Sequence, residues 1–466
     1  MNKKIVFAFI LIFLINLLLV SGDVNIEGRI KTFTSFFVSD NPEGVFFNHE
    51  SGDFLIKRLN IRLGFNGNIN DNISYSVKFD GFTYSGEILN DYNFGESDFL
   101  SNPVSTEYFS LNLYESYIKV SGFLFENLDL TIGKQRISWG TADKANVVDN
   151  LNPLDFANFF TFDPDYSFER RPQNALNFEY YFSNDWKLQF VLLLQHQVSP
   201  LPFGYSYMTK NSIGLNNVTL NKTWENNLND LNYGLRFDFN LLNTDFGITY
   251  YKGNMSIPII TNMDLINSKA EFSFPKISVF GLDFSTELFG FGIWGEIAYI
   301  TPDTIDSFLI MPVVQNNQIF VSENHFELLN DGFIKYVLGF DYNFGHGFYV
   351  NLQYLHGFFD EYSYTDEAKQ FLGYKKGMFN GEIEDYIIGV LDYKFNDDSS
   401  KLELSFIYEI SDNTSLSLTP LAEIKIKDGL YIQAGGFFVI NGEPDTTKFG
   451  LFKDDKLIYI GAKINF

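Results

Sequence analysis

Residues 232–241 read NYGLRFDFNL, and the alternation in this stretch decides the fold class. Every second residue from Tyr233 to Leu241 is apolar, whereas Arg236 and Asp238 lie between them. Successive side chains of a β-strand point to opposite faces, so this stretch predicts a strand with one apolar and one polar face. The same period of two occurs in residues 58–65, 186–194, 334–344, 348–354 and 402–410.

Repetition of this pattern along the chain predicts an all-β fold of about eighteen strands (16–18). The candidate strands lie near 24–37, 54–67, 73–84, 106–120, 128–139, 173–182, 186–197, 230–242, 245–251, 271–284, 290–300, 332–344, 348–358, 385–395, 401–410, 414–426, 430–440 and 456–466. A secreted sandwich or propeller would also alternate, so the pattern alone leaves those two architectures open.

The connections between the strands favour a membrane-spanning barrel. Tight turns rich in Asn, Asp and Gly lie at 68–72, 183–185, 243–244, 345–347, 396–400 and 427–429. They alternate with long polar connections at 38–53, 85–105, 140–172, 198–229, 301–331 and 359–384. Short periplasmic turns and long extracellular loops are typical of transmembrane antiparallel β-barrels. The short link at Ser411–Asn413 is the exception, because the alternation calls for a long loop there.

The last strand carries a possible assembly signal. Phe466 is the terminal residue, and Ile464, Ala462, Ile460 and Ile458 precede it at every second position. An amphipathic final strand that ends in Phe resembles the signal that the barrel-assembly machinery recognises in outer-membrane barrels. The alternative is an ordinary edge strand that happens to end in Phe.

Aromatic residues near the predicted strand ends suit the two interfacial girdles of a membrane barrel. The residues assigned to these girdles are Trp186, Trp294, Tyr250, Tyr336, Tyr342 and Tyr354.

The N-terminal segment predicts export. Lys3 and Lys4 precede a run from Ile5 to Val20 that is apolar except for Asn16, and Ser21 and Gly22 suit cleavage. The apolar run is shorter than the roughly 20 residues of a spanning helix. We therefore expect a signal peptide at 1–22, a barrel at 23–466, and a location in the cell outer membrane in contact with its lipid.

Composition excludes several classes of function. A formal charge of −25 argues against binding to nucleic acid or to anionic lipid headgroups. The chain has five histidines, and no Gly-x-Ser-x-Gly, His-Glu-x-x-His or phosphate loop occurs, so we expect no enzyme and no cofactor. Aspartates between 143 and 165 could bind Ca²⁺, but their spacing matches no known loop, and we assign no metal site.

A barrel of this width cannot be filled by inward side chains, so it holds water, a plug or a folded-in loop. The first strand begins close to the predicted mature start, and we expect no separate plug domain. The interpretation is therefore a porin-like channel for passive diffusion of small polar solutes, with saccharides or anions as candidate solutes, as a monomer or homotrimer. A surface adhesin or assembly scaffold built on a barrel is the alternative.

The 140–172 connection is a candidate constriction because it is long and carries mixed charge, including Asp155, Arg170 and Arg171. Long segments without regular structure usually have a function, which favours a loop folded into the lumen. A loop that stays outside the barrel is the simpler alternative. If the loop is inside, Arg170 and Arg171 could join the basic strands and attract anions.

Basic residues cluster in the first half of the chain, and they complete the list of pore candidates. Beyond the loop residues just named, these candidates are Arg29, Arg58, Arg62, Lys78, Arg136 and Arg236. Glu403, Glu409 and Glu423 lie on the polar faces of later strands. A basic wall opposite an acidic wall would create a transverse field. The alternative is pairing between neighbouring strands, for example of Glu27 with Arg58.

One segment resembles a known family. Gly133-Lys134-Gln135 leads to Trp139-Gly140, then to Asn152-Pro153-Leu154-Asp155 and to Arg170-Arg171-Pro172. This succession resembles porin-like outer-membrane barrels with a Gly-Arg-Gln, Trp-Gly and Asn-Pro-x-Asp pattern, similar in style to the alginate-export barrels. Lys134 stands where that pattern has Arg, which keeps the charge but not the planar fork. The resemblance covers about 40 residues and implies an outer-membrane channel without naming a solute.

Overall fold

The computed structural model describes residues 23–42, 44, 47–85, 104–105, 110–159, 161–200, 217–221, 231–410, 414–444 and 446–466. The predicted signal peptide and the link at 411–413 lie outside these residues. The strands are β1 (Asp23–Phe37), β2 (Phe54–Asn70), β3 (Ile73–Ser85), β4 (Val104–Ser105), β5 (Ser110–Val120), β6 (Leu128–Gln135), β7 (Gln173–Tyr181), β8 (Trp186–Leu193), β9 (Asn217–Asn221), β10 (Asn232–Leu241), β11 (Thr244–Asn254), β12 (Ile259–Asp264), β13 (Lys269–Ser273), β14 (Lys276–Leu288), β15 (Phe291–Pro302), β16 (Asp306–Gln315), β17 (Gln318–Glu327), β18 (Phe333–Gly345), β19 (Phe348–His356), β20 (Asp385–Phe395), β21 (Ser400–Ile410), β22 (Ser415–Lys427), β23 (Leu430–Ile440) and β24 (Leu457–Asn465).

Eighteen of these strands form a closed antiparallel barrel, in which each strand pairs with the next barrel strand along the chain. The strands outside the ring are β4, β9, β12, β13, β16 and β17. β1 closes the ring on β24, from Arg29 opposite Asn465 to Phe37 opposite Leu457. The predicted fold class and the predicted number of strands are confirmed. Closure leaves no open sheet edge, which is the condition for a sheet to cross a lipid bilayer.

The two faces of the barrel differ as the alternation predicted. In β10, Leu235 is 41% exposed on the outer face, whereas Arg236 is 9% exposed on the inner face. In β1, Ile30 is exposed and Lys31 is buried. An apolar outer face and a polar inner face are typical of transmembrane barrels.

The first and last strands of the barrel meet at its seam. The backbone of Gly28 pairs with that of Phe466, with N···O distances of 2.7 and 3.0 Å. A Cβ on Gly28 would lie 2.5 Å from the Phe466 ring, so glycine leaves the space that this ring occupies. Ile464 points outward on the same strand. The role of Phe466 and Ile464 as an assembly signal stays a prediction.

Several predicted strands have different boundaries in the structure, and for two of them the cause is visible. The predicted strand 271–284 is two elements, because β13 ends at Ser273 and β14 begins at Lys276, after Pro275. The predicted strand 128–139 ends at Gln135. Beyond it the backbone turns into the lumen, where the N–H of Ile137 donates to Asn152 instead of to a neighbouring strand, at 2.9 Å.

A second sheet lies on the side of the long connections, where the sequence predicted polar loops. Its strand order is β17-β16-β12-β13-β9, and the β12–β16 and β13–β9 pairs are parallel. The predicted loops 198–229 and 301–331 therefore contain strands. Their pairing joins segments that are far apart in the sequence, and a local pattern does not reveal it.

Trp294 corrects the predicted aromatic girdle. It shares the inner face of β15 with Glu296 and is buried, with its ring against Gly339. Trp186 is exposed on the outer face, as expected. A Trp at a strand end has the same local sequence whether it faces lipid or lumen, so only the register separates the two.

The long connections and the upper lumen share one packed apolar core. It joins Leu151 and Phe156 to residues of the connections such as Leu328, Phe358 and Tyr364. Three short helical elements contribute to this region: Phe156–Phe159, Asp366–Leu372 and Phe449–Phe452. No helix in the described ranges is long and apolar enough to cross a membrane.

Candidate functional site in the barrel lumen

Residues 136–172, the lumen segment, connect β6 to β7, and the described residues among them lie inside the barrel. The segment makes side-chain contacts with the inner faces of β1, β2, β8, β15, β21, β23 and β24. Strands from opposite sides of a closed ring can be contacted at once only from within it. The alternative of a loop that stays outside the barrel is therefore wrong.

Carboxylates of the lumen segment neutralise the basic strands β1 and β2. The buried Asp163 bonds to Lys31 and, through Oδ2, to Arg58 at 2.6 Å. Glu169 accepts from Arg62 through both of its carboxylate oxygens. Charge-assisted hydrogen bonds of this kind are about twice as strong as neutral ones.

Asp165 extends this network to the seam of the barrel. It lies 2.6 Å from Lys31 Nζ, 3.1 Å from Lys463 Nζ and 3.9 Å from Arg29. Burial opposes the charge of Asp165, but these cations outweigh it and hold the pKa of the carboxyl well below its usual value. The segment is thus tied to both strands at the closure of the ring.

A second attachment of the lumen segment depends on one carboxylate, Glu296 of β15. Its Oε1 accepts the backbone N–H groups of Thr141 and Ala142, each at 2.7 Å. Its Oε2 accepts those of Val147 and Val148, at 2.8 and 3.3 Å. One side chain therefore satisfies four backbone donors of a segment that has no regular secondary structure there.

Glycine permits the close approach at this attachment. Gly140 has φ of 85°, and a Cβ at this position would lie 2.3 Å from Glu296 Oε1. Gly133, with φ of 126°, likewise leaves room for Ser116, whose carbonyl oxygen would be 2.2 Å from an added Cβ. Gly133 therefore permits a close approach of the neighbouring backbone.

The motif residues of the segment hold it together internally. Leu154 and Arg170 form a β-bridge, and Arg171 Nε lies 2.8 Å from Asp155. Arg170 donates to the carbonyl oxygens of Asp149 and Asn152 at 3.0 and 2.9 Å. The Asn-Pro-Leu-Asp and Arg-Arg-Pro stretches therefore bond to each other and stabilise the lumen segment internally.

This geometry alters the role predicted for Arg170 and Arg171. Arg170 and Arg171 form ion pairs with Asp149 and Asp155 inside the lumen segment. Carboxylates of residues 163–169 form ion pairs with Arg58 and Arg62. The structure therefore does not bring Arg170 and Arg171 together with the basic strands as one anion-attracting group.

The other predicted pore residues lie apart. Lys78 pairs with Glu27 and Glu115, and Arg236 makes a double contact with Asp283. Pairing of Glu27 with Arg58 was wrong, because Glu27 meets Lys78 instead. Arg136 is exposed to the lumen and forms no ion pair within the described residues.

Two of the three acidic residues predicted on the later strands are also paired with cations, whereas Glu409 accepts the backbone N–H of Lys448 at 3.0 Å. Glu423 lies 2.6 Å from Lys463, and Glu403 lies 2.6 Å from Lys401. Cross-strand and lumen pairing thus replaces the predicted contrast between a basic and an acidic wall.

The cavities beside the lumen segment include a polar one and a largely apolar one. A polar cavity of about 690 Å³ lies toward the short-turn end, lined by groups such as Glu179, Lys187 and Asp238. A second cavity of about 290 Å³ lies against β20 to β24, and most of its lining is apolar. Arg136 borders both cavities, so it stands where they approach each other.

Above these cavities, the connections on the long-loop side form a cap that includes a buried charge cluster. Lys448 lies 3.0 Å from Asp360 and 3.2 Å from Glu361. Burial opposes the charge of Lys448, but the two carboxylates outweigh it and hold its pKa above the usual value. Neither this cluster nor the attachment to Glu296 was found from the sequence, since each joins residues more than 80 positions apart.

Comparison with solved structures returns other membrane barrels with low identity. OccAB3 of Acinetobacter baumannii has 10% identity and a TM-score of 0.47, over 95% of this chain and 99% of that one. Wzi of Escherichia coli, described as a carbohydrate-binding β-barrel involved in group 1 capsule assembly, has 14% identity and a TM-score of 0.48, over 97% and 87%. A mutant of the Rh. blastica porin has 10% identity and a TM-score of 0.39, over 95% and 100%.

Comparison with curated proteins finds no match. A family model matches residues 47–384, which include the complete lumen segment, and its description is "Protein of unknown function (DUF1302)". The match does not test the likeness to alginate-export barrels, which stays a prediction. The matched region exceeds half of the chain, and the protein belongs to the DUF1302 family.

Proposed function

We propose that this protein is an outer-membrane channel for passive diffusion of small solutes, narrowed by its lumen segment. The observation that carries the proposal is the attachment of that segment to opposite inner walls, at Asp163 on one side and Glu296 on the other. A wide barrel with an apolar exterior needs only closure to be stable in lipid. A built-in segment that divides its lumen restricts what can pass.

The interior supports a narrow and selective path. Ion-paired side chains line the lumen, and the two cavities flank the segment instead of forming one wide pore. Charges in a wide aqueous pore are screened beyond about 8–10 Å at physiological salt. Narrowing brings the solute within that distance of Arg136 and of the paired groups, so selection by charge becomes effective.

Shortening the segment tests this proposal. Replacement of residues 143–168 by a short Gly-Ser linker is expected to raise single-channel conductance in planar bilayers several-fold. Shortening of the exposed tip of the β16–β17 hairpin, residues 314–321, serves as the control and should leave conductance unchanged. Unchanged conductance in a segment-deleted barrel that still assembles and shows heat-modifiable migration would contradict the proposal.

Surface binding is the second candidate function, and the β16–β17 hairpin favours it. Val314, Ile319 and Val321 on this hairpin are between 67% and 76% exposed, and β17 is an edge strand of the second sheet in the described part of the chain. Exposed apolar edges are sites of strand addition and partner binding. Loss of cell adhesion on changing these residues to Ser, with conductance retained, would support an adhesin.

A further inference from the structure

Part of the inner wall of the barrel is apolar. Ile388 of β20 pairs with Ile407 of β21, and Leu421 of β22 and Phe437 of β23 line the same cavity beside them. These four residues are the apolar wall. Elsewhere in the ring the inner face carries the ion pairs described above, and a polar interior is the usual state of a transmembrane barrel. The apolar wall is therefore an exception within its own lumen.

The lumen segment and the cap cover only part of the apolar wall. Phe162 of the segment stacks on Phe437 with ring centroids 4.0 Å apart, and Phe452 of the helical element before β24 lies edge-on to both rings. Beside these contacts the apolar cavity of about 290 Å³ remains, with Phe159 and Phe168 on its segment side. The volume is close to the lower end of small-molecule sites, and an apolar lining is typical of them.

The lining of this cavity suits an apolar body better than a saccharide. Its carboxylates are each held in an ion pair: Asp165 with Lys31, Glu169 with Arg62 and Glu403 with Lys401. A saccharide placed against the apolar wall would lose hydrogen bonds to water that the wall cannot replace, which is costly. An apolar body placed there displaces water from the aromatic rings, which is favourable.

A cation stands at the edge of the same cavity. Arg136 is exposed there without an ion pair among the described residues, and it also borders the polar cavity toward the short-turn end. Lys144, the other cation of the described lining, lies 3.4 Å from Ser405 Oγ and 3.9 Å from Glu403. A guanidinium group can bind a carboxylate through two parallel N–H groups. Arg136 is therefore available to bind a carboxylate beside an apolar surface.

We propose that the apolar cavity is a binding site for small organic acids with an apolar body, whose carboxylate binds Arg136 and whose body contacts the apolar wall. The proposal rests on the channel function above and names its substrate class. The acid reaches the site within the lumen, because Arg136 borders both the polar cavity and the apolar cavity. Each half of the solute then meets a matching surface, so neither is desolvated without compensation.

Filling the cavity tests the site. Calorimetry on the full barrel in lipid nanodiscs, where no detergent competes for an apolar site, should detect binding of phenylbutyrate to the unchanged protein. Thr419→Phe places a ring in the cavity from the inner face of β22 and should weaken this binding at least about tenfold. Leu418→Phe, the adjacent position on the lipid face, is the matched control and should bind like the unchanged protein. No binding to the unchanged protein, or equal binding by the Thr419→Phe variant, would overturn the proposal.

Removal of the cation keeps the test valid if Thr419→Phe fails to assemble. Arg136→Gln should weaken binding of phenylbutyrate about tenfold, the loss expected from one charge-assisted hydrogen bond, and should leave binding of phenylbutanol unchanged. Lys119→Gln is the matched control, because Lys119 pairs with Asp129 at 2.9 Å and lines neither cavity. Equal binding of the acid before and after the Arg136 change would overturn the role of this residue as its partner.

Conductance measured on the same proteins separates the two proposals. Phenylbutyrate should lower the single-channel current of the unchanged protein and leave that of the Thr419→Phe variant unaffected. Binding without any effect on the current would place the site off the conducting path and would overturn the substrate class. If the segment-shortened barrel shows no added conductance, the channel proposal fails by itself, even where phenylbutyrate binds. If conductance behaves as expected but binding ignores Thr419 and Arg136, only the acid site fails.

Discussion

The lumen segment is attached at two places that use opposite chemistry. On the side of β1 and β2, three carboxylates of the segment meet several wall cations, and Asp165 alone contacts Lys31, Lys463 and Arg29. On the side of β15, the wall supplies the single carboxylate of Glu296, and the segment supplies only backbone N–H groups. The first attachment is redundant in charges, whereas the second depends on one residue.

This difference has a consequence for mutation. Loss of one member of the charge network leaves other partners within contact distance, so the remaining charges can rearrange. Loss of Glu296 leaves the N–H groups of Thr141, Ala142 and Val147 without their side-chain acceptor, whereas that of Val148 still donates to Asn146 Oδ1 at 3.1 Å. We therefore expect the β15 side of the segment to be the more sensitive to a single substitution.

The largest effect is expected for Glu296→Ala. Hydrogen bonds to charged groups contribute about 1.5–3 kcal/mol each, so the loss of at least two should weaken the attachment by about 3–6 kcal/mol. The expected result is faster trypsin cleavage after Lys144 in the assembled barrel, together with a raised and noisier conductance. Cleavage at the unchanged rate would show that the apolar packing of Val148 and Leu151 holds this end without the carboxylate.

Gly140→Ala is expected to weaken the same attachment through a change in the lumen segment. The positive φ of Gly140 disfavours a side chain, and an added Cβ would lie 2.3 Å from Glu296 Oε1, so the segment must shift. A cost of about 1–3 kcal/mol is expected, measured as partial exposure to trypsin. Gly373→Ala is the control outside the lumen, because its φ is also positive but no atom lies within 4 Å of the added Cβ. Equal trypsin exposure in both variants would mean that strain alone, without the contact to Glu296, explains the change.

Asp163→Asn tests the redundant attachment. The amide keeps the shape but removes the charge between Lys31 and Arg58, and Asp165 remains beside Lys31. We expect a cost of about 1–2 kcal/mol, smaller than that for Glu296→Ala, because one charged partner is lost and the neighbours remain. Asp163→Asn combined with Asp165→Asn should approach the effect of Glu296→Ala. If the single Asp163 change already exceeds the effect of Glu296→Ala, the redundancy argument is wrong.

Acidification down to about pH 4 is expected to have the smallest effect on the attachment of the lumen segment to β1 and β2. The pKa of Asp165 is held below its usual value of about 3.9, so its contribution to stability is complete above that value and is lost only as the pH falls through the lower, folded-state pKa. Burial raises the pKa of Asp149 despite Arg170, so its contribution becomes more favourable as the pH falls toward the unfolded value. In a Glu296→Gln background, which removes the carboxyl of the other attachment, conductance at constant salt should therefore stay level from pH 7 to about 4 and rise below it.

Lys31→Met sharpens this pH test. Removal of the closest cation should move the pKa of Asp165 back toward its usual value, so the rise in conductance should begin at a higher pH than in the unchanged protein. An identical pH profile in the two proteins would show that Lys463 and Arg29 are sufficient to hold Asp165 ionised.

Much of the fold was predictable because the alternation of apolar and polar residues is a local property of the sequence. The period of two in 232–241 and its repeats located the barrel strands, and the turn residues between them separated short from long connections. The role of Gly133 could also be interpreted from the sequence, because a glycine within a strand indicates a bend or a close backbone contact. The Asn-Pro-Leu-Asp and Arg-Arg-Pro stretches marked the lumen segment but not the way in which they bond to each other.

Only the tertiary structure decided which charges meet. Arg170 is local to Asp149, but Glu296 is about 150 positions from the N–H groups that it binds, and Lys31 is 132 positions from Asp163. The closure of the ring brings such residues together, and no periodicity in the sequence records which inward side chains face each other across a lumen. By itself the sequence determined the alternating strands and their number, because each strand must match lipid on one face. The contents of the lumen and the neutralised basic wall depend on register and closure, which are properties of the whole ring.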